Sequence, residues 1–403
     1  MYYKHEVTMN YPLKNLKILD FTYLLPGPYG TMMLADLGAD IIKVENPNNP
    51  DMLRMLPPVV NGISAVYAHI NRGKKSLALD LKSQEAKDII YTLVKDYDII
   101  TEQFRPKVLE KLGFGYNDLK KANPSIIYCS LTGYGQTGTY ALRAGHDINY
   151  MALSGVDSFS GKKTTGPSLH GIQIADIASG AKNMVIGVLA AYIKRQATGE
   201  GDYIDISITD GVFAMSAFTT AAYIEGEPLP QPETQMLNGG GIYDYYITSD
   251  GRYLSVGPIE PKFFQNFCQA IGYNDILQNV DFSPEAVYLH KKKIAAIIAS
   301  KPLSYWIEVF SNIDACVEPV RTLEEAINNP PLSERDMIVS ITNNNGTLYK
   351  QIGNPIKFLS HNYIAQKAGV PLGYNNDEIL KSIGYNEHQI QQLYAKNVIA
   401  KFN

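Results

Sequence analysis

The chain has 403 residues, 45% of them hydrophobic and 19% charged, which is ample apolar material for a core and more length than one ordinary domain uses. A formal net charge of −4 with no long run of like charges provides no field to gather a polyanion, so nucleic acid is not an expected partner. The three cysteines, Cys129, Cys268 and Cys316, lie far apart with no CxxC pair, which suggests neither a disulfide framework nor a zinc site and fits a reducing, cytoplasmic compartment.

Residues 1–10 lack the basic and apolar regions of a secretory signal, and no stretch approaches the roughly 20 apolar residues of a membrane span. Residues 16–21 read as a short buried strand, Pro26-Gly27-Pro28 breaks it, and residues 29–37 have helical spacing until Gly38 stops them. The order then repeats: strand-like 40–44 and 76–80, helical 84–95, strand-like 98–101 and 125–130. Short apolar strands alternating with helices predict an α/β architecture, a doubly wound, Rossmann-like parallel sheet covered on both faces. Residues 176–194 read as a helix rich in small residues and 203–208 as another strand.

A change follows. Residues 225–241 are rich in Gly, Pro, Gln and Asn, as in a linker; 243–256 resemble a hairpin around Ser249-Asp250-Gly251, and helices run on to about residue 328. Beyond Pro330 come strand-like 337–341 and 347–352 and a last helix ending near residue 396. The expected organisation is a large domain over 1–224, completed by 331–403, with a linker and smaller α+β domain over 225–330.

Three polar groups stand where chemistry is performed. His146, in Gly145-His146-Asp147-Ile148-Asn149-Tyr150, sits at a helix entrance, facing the positive end of the helix dipole, which suits a neutral proton acceptor; packing or capping is the plainer role. Asp176 stands between an apolar strand and a helix whose first turn is Ala178-Ser179-Gly180-Ala181. It reads either as an N-cap or as a reactive carboxyl, with small residues leaving space for a ligand to reach backbone amides. Glu260, between Ile259 and Pro261, is either a solvated loop residue or a group that orients a base.

Arg72, Lys74 and Lys75, together with Arg105, Lys43 and Arg54, place cations at strand ends, where an open α/β sheet binds phosphates; each alone also reads as ordinary surface charge. No GxGxxG follows the first strand, no GxxxxGK[ST] is present, and His and Cys spacing suggests no metal site.

On these segments, together with Pro26-Gly27-Pro28, Asp36-Leu37-Gly38-Ala39-Asp40, Asn71-Arg72-Gly73-Lys74-Lys75-Ser76, Arg105-Pro106, Leu131-Thr132-Gly133-Tyr134-Gly135-Gln136-Thr137-Gly138 and Thr198-Gly199-Glu200-Gly201, the sequence resembles the class III CoA-transferase superfamily. Within it the sequence looks most like the α-methylacyl-CoA racemases. The resemblance implies an interlocked homodimer acting on acyl-CoA, with His146 and Asp176 as catalytic groups and Glu260 as partner of the histidine, in cis or from the other subunit. It implies no cofactor beyond coenzyme A carried as the substrate thioester, held by cations drawn from Arg72, Lys74, Lys75, Arg105 and Lys43. Racemases of this kind follow the aspartate with glycines, whereas here Ile177-Ala178-Ser179-Gly180 follows. The transferases use the same aspartate as a nucleophile, so epimerisation of a 2-methylacyl-CoA is the first expectation and CoA transfer between carboxylic acids through an aspartyl-CoA intermediate the second. A non-catalytic acyl-CoA binding protein is the third.

Overall fold

The computed structural model of the protein describes residues 11–278, 281, 283–365 and 367–401. The reading of residues 1–10 as lacking a signal lies outside the described residues. The described residues form two compact units: those within 11–150, 172–215 and 331–401 make the first, and those within 151–171 and 216–330 the second.

In the first unit a six-stranded sheet is built from β1 (Lys17–Phe21), β2 (Asp40–Glu45), β3 (Lys74–Ala78), β4 (Ile99–Glu102), β5 (Ile127–Thr132) and β6 (Tyr203–Ser207), in the order β3-β2-β1-β4-β5-β6. All neighbours are parallel, with Ile18 paired to Ile41 on one side and to Ile99 on the other. The inner strands β2, β1, β4 and β5 are buried almost throughout, as expected of a parallel sheet covered on both faces, whereas the edge strand β6 is partly exposed. Alternation along β1 sends Leu19 and Phe21 into a cluster with Ile89, Ile90 and Leu93 of α2 (Gln84–Leu93), while Asp20 points the other way, where the Thr31 hydroxyl of α1 (Pro26–Asp36) donates to it at 2.6 Å.

Local signals set the helix ends. Pro26 occupies the first turn of α1, where its missing N–H costs nothing, and Gly38, at φ +100°, ends the turn that follows. The Ser83 hydroxyl caps α2 by accepting the Ala86 N–H at 3.1 Å. The expected strands and helices of this unit appear within a few residues of their predicted bounds. The exception is the stretch read as one helix from Asp176: the chain first makes a π-helical segment, Ala175–Ala181, and then α5 (Lys182–Thr198). Small residues fix its packing. A Cβ on Gly30 of α1 would strike Met184 and lie 3.0 Å from the Ala181 carbonyl.

The second unit carries an antiparallel sheet of Asp244–Ile247, Tyr253–Val256 and Val317–Pro319 over a core that includes Phe264, Phe267 and Trp306. Its hairpin turns at the expected Ser249-Asp250-Gly251, with Gly251 at φ +74°. The division of the chain differs from the expected one in that residues 151–171 and 216–224 belong to this unit. Ion pairing accounts for part of it: Lys162 contacts Asp244 at 2.8 Å and Glu233 at 3.2 Å, and Asn238 donates to the Phe159 carbonyl at 3.0 Å.

Candidate active site

In the first unit, at the C-terminal ends of the strands, a cavity of about 450 Å³ is walled by His146, Asp176, Thr132, Tyr150, Arg105 and Arg143, among others. His146 immediately precedes α4 (Asp147–Leu153); its backbone N–H donates to Asn149 Oδ1 at 3.0 Å, and the exposed histidine lines the cavity. Its loop is pinned from behind. Tyr150 donates to the Gly145 carbonyl at 2.6 Å, its ring meets Tyr134 edge-on at 5.3 Å, and Gly133 has no space for a Cβ against the Tyr150 ring.

Asp176 is the second residue of the π-helical segment rather than an N-cap, and its backbone N–H donates to Asp147 Oδ1 at 2.9 Å. Single wide turns of this type recur at functional sites. Burial pushes the Asp176 carboxyl up to about 7, and the nearby Asp147 carboxylate adds to the rise. Burial also raises the Tyr150 hydroxyl, with the Asp176 charge as the next cause. A carboxyl near 7 is protonated and ionised in comparable amounts at neutral pH, as a group that both gives and takes a proton requires.

The small residues after Asp176 do something other than make room for a ligand. The Ser179 hydroxyl donates to the Ile208 carbonyl at 2.6 Å, and Gly180 faces Ile208 of α6 (Ile208–Met215) and Pro26 of α1 at separations a Cβ would reduce to 3.2–3.3 Å. They let three helices meet closely.

The cations expected at phosphates divide. Arg72 is 1% exposed and grips Asp36 through both carboxylate oxygens at 2.7 and 2.6 Å, with a further bond to the Ile352 carbonyl. Lys74 is bonded to Asp20, Asn71 and the Pro28 carbonyl, and Lys43 to Asp51 and the Thr22 carbonyl, all in the interior. Burial lowers the Lys74 ammonium to about 8, against the pull of Asp20. Asp20 itself, which burial alone would raise, is held at about 2 by Lys74 and Lys43. Arg54 is likewise paired with Glu45, at 2.6 Å. Lys75, partly exposed, pairs with Asp40 at 3.0 Å. Arg105 is exposed and lines the cavity.

Arg143 was not singled out from the sequence, although a cation two residues before Gly145 is a readable signal; it stacks on Tyr140 at 3.7 Å and shares the cavity wall with Arg105. Thr132 and Gln103 also line the cavity; Thr132 carried no signal beyond its place in the Leu131–Gly138 segment, and Gln103 carried none. Glu260 lies in the second unit, exposed, at the N-cap of the helix Pro261–Ala270, and its neighbours Ile259 and Pro261 wall an apolar cavity of about 590 Å³ there. Among the described residues no group of His, Cys, Asp and Glu is placed to hold a metal ion, and no helix is long and apolar enough to cross a membrane.

The sequence pattern of CoA-transferase family III matches residues 13–376. The chain belongs to this family. Human alpha-methylacyl-CoA racemase is 33% identical over 395 residues, which cover 96% of this chain and 97% of that protein. Human succinyl-CoA:glutarate CoA-transferase is 29% identical over 397 residues, covering 96% and 90%. Among solved structures, a CAIB/BAIF family protein from Brucella suis matches with a TM-score of 0.79 and 26% identity, over 92% of this chain and 99% of that one. Family III thus places the chain among enzymes, and the matched members include both racemases and CoA-transferases.

Proposed function

We propose that this family III member epimerises 2-methylacyl-CoA thioesters by 1,1-proton transfer. The observation that carries the reading is the convergence of His146 and Asp176 on one cavity, with the Asp176 carboxyl at about 7. Removing a hydrogen α to a thioester leaves its electron pair delocalised onto the carbonyl oxygen as an enolate, and inversion needs the proton returned to the opposite face. His146 and Asp176 each serve one face: the ionised or neutral base takes the proton, and the other, protonated, gives one back. Coenzyme A is the substrate's handle, and Arg105 and Arg143 at the rim are the cations offered to its phosphates. The family resemblance assigns Glu260 as the partner of His146, in cis or from the other subunit, and the working form is a homodimer.

A transferase reading has its own support in the match to succinyl-CoA:glutarate CoA-transferase and in the non-glycine residues after Asp176. There Asp176 acts as the nucleophile and His146 is dispensable. Incubation with a 2-methylacyl-CoA in deuterated water separates the two. Epimerisation with label at the α carbon supports the racemase, whereas a carboxylate trapped by hydroxylamine in the presence of acyl-CoA, without label, supports the transferase.

A further inference from the structure

Thr132, the last residue of β5, is 7% exposed, and its Oγ1 is buried with no hydrogen-bond partner among the described residues. It lines the cavity that holds His146 and Asp176. A hydroxyl left unpaired in a protein interior is destabilising, and buried polar groups without partners are rare enough to need a reason. Its surroundings do not supply the missing partner. The adjacent Gly133 carbonyl already accepts both the Thr209 N–H, at 3.0 Å, and the Thr209 hydroxyl, at 2.7 Å. Gly133 is also wedged against the Tyr150 ring, so the end of β5 is held in place relative to the loop that presents His146.

We propose that the Thr132 hydroxyl donates a hydrogen bond to the thioester carbonyl oxygen of the bound acyl-CoA, the atom that becomes the enolate oxygen. This assignment rests on the racemase reading for its catalytic consequence but only on acyl-CoA binding for the contact itself. The buried hydroxyl reaches the cavity by rotation about χ1 to another staggered position, a turn that a hydrogen bond to an entering carbonyl oxygen would favour. No covalent bond forms or breaks at Thr132. It stays protonated and stabilises charge that appears on the carbonyl oxygen as His146 or Asp176 removes the α proton.

The test uses Thr132→Val, which keeps the shape and removes the hydroxyl, and Thr132→Ser, which keeps the hydroxyl. The probe is 2-methylpropanoyl-CoA carrying 13C at the carbonyl, whose α carbon is not a stereocentre, so no epimer accumulates. Without ligand, Thr132→Val should melt at or above the wild-type temperature, because the hydroxyl it deletes satisfies nothing in the protein; a clear fall in melting temperature would show a structural bond and overturn the proposal. Infrared difference spectra of the bound probe should show the carbonyl stretch lower in wild type and Thr132→Ser than in Thr132→Val. The same frequency in wild type and Thr132→Val overturns it. On a chiral 2-methylacyl-CoA, kcat for α exchange should fall on the order of 100-fold in Thr132→Val and be largely restored in Thr132→Ser, with KM little changed. A loss confined to KM overturns the assignment to the carbonyl oxygen. If wild type shows no α exchange while the infrared difference persists, the racemase reading fails and the Thr132 contact stands.

Discussion

Asp147 Oδ1 accepts the backbone N–H of Asp176 at 2.9 Å, so the residue that follows the candidate base is bonded directly to the candidate acid. The same carboxylate is the second cause, after burial, of the raised Asp176 carboxyl. Hydrogen bond and charge can be separated by Asp147→Asn, which keeps an acceptor and deletes the charge. In a His146→Ala background, where the remaining α exchange depends on Asp176, the midpoint of the pH profile should move down from about 7 in Asp147→Asn. It should stay above the ordinary carboxylate value, because burial is the larger cause. An unmoved midpoint would show that Asp147 acts on Asp176 only as a hydrogen-bond acceptor.

The raised Asp176 carboxyl also has a cost in stability with a definite sign. The folded state holds its proton up to about 7 and the unfolded state releases it near 3.8, so the wild type loses stability as pH rises through that interval and the loss levels off above it. Asp176→Asn cannot ionise. Urea denaturation at several pH values should show the variant gaining on the wild type between those limits and holding a constant lead above them. A lead independent of pH would mean that the carboxyl titrates alike in both states.

Arg72 and Arg105 should separate cleanly. Arg72→Ala leaves Asp36 buried and unpaired and should cost about 3–5 kcal/mol of folding stability, read by chemical denaturation. Arg105→Ala should leave stability unchanged and weaken CoA binding by about 1–3 kcal/mol, read by calorimetry, if its guanidinium holds a phosphate. Weakened CoA binding in a stably folded Arg72 variant would reverse the assignment.

The sheet was legible because its strands are apolar runs punctuated by residues such as Pro26, Gly38 and Ser83, signals that act within a few positions. The roles of the cations were not. Lys74 and Asp20 are 54 positions apart, on β3 and β1, and meet only because β2 brings those strands into one sheet. Sequence shows both charges but not their pairing, so a buried ammonium and a phosphate-binding one read alike. The π-helical segment around Asp176 was hidden for a similar reason: one wide turn leaves no periodicity. The run Ala178 to Ala181 signalled close approach correctly, but what approaches is Pro26 and Ile208 rather than a ligand. His146 and Asp176 stand in motifs that single them out, and the structure brings both to one cavity; Arg143 and Thr132 line the same cavity without a comparable signal.

The pairing of His146 and Asp176 across one substrate is the claim that most needs a direct measurement. Each enantiomer of a 2-methylacyl-CoA would be incubated separately in deuterated water with wild type, His146→Ala and Asp176→Ala, following both epimerisation and label at the α carbon. Inversion needs both groups, whereas removal and return of the proton on one face needs only one. Wild type should therefore epimerise and label both enantiomers, and each variant should fail to epimerise yet label one enantiomer, a different one for each variant. Absence of label in every protein, with CoA transfer between acids lost in Asp176→Ala and kept in His146→Ala, would contradict the account and make the chain a transferase.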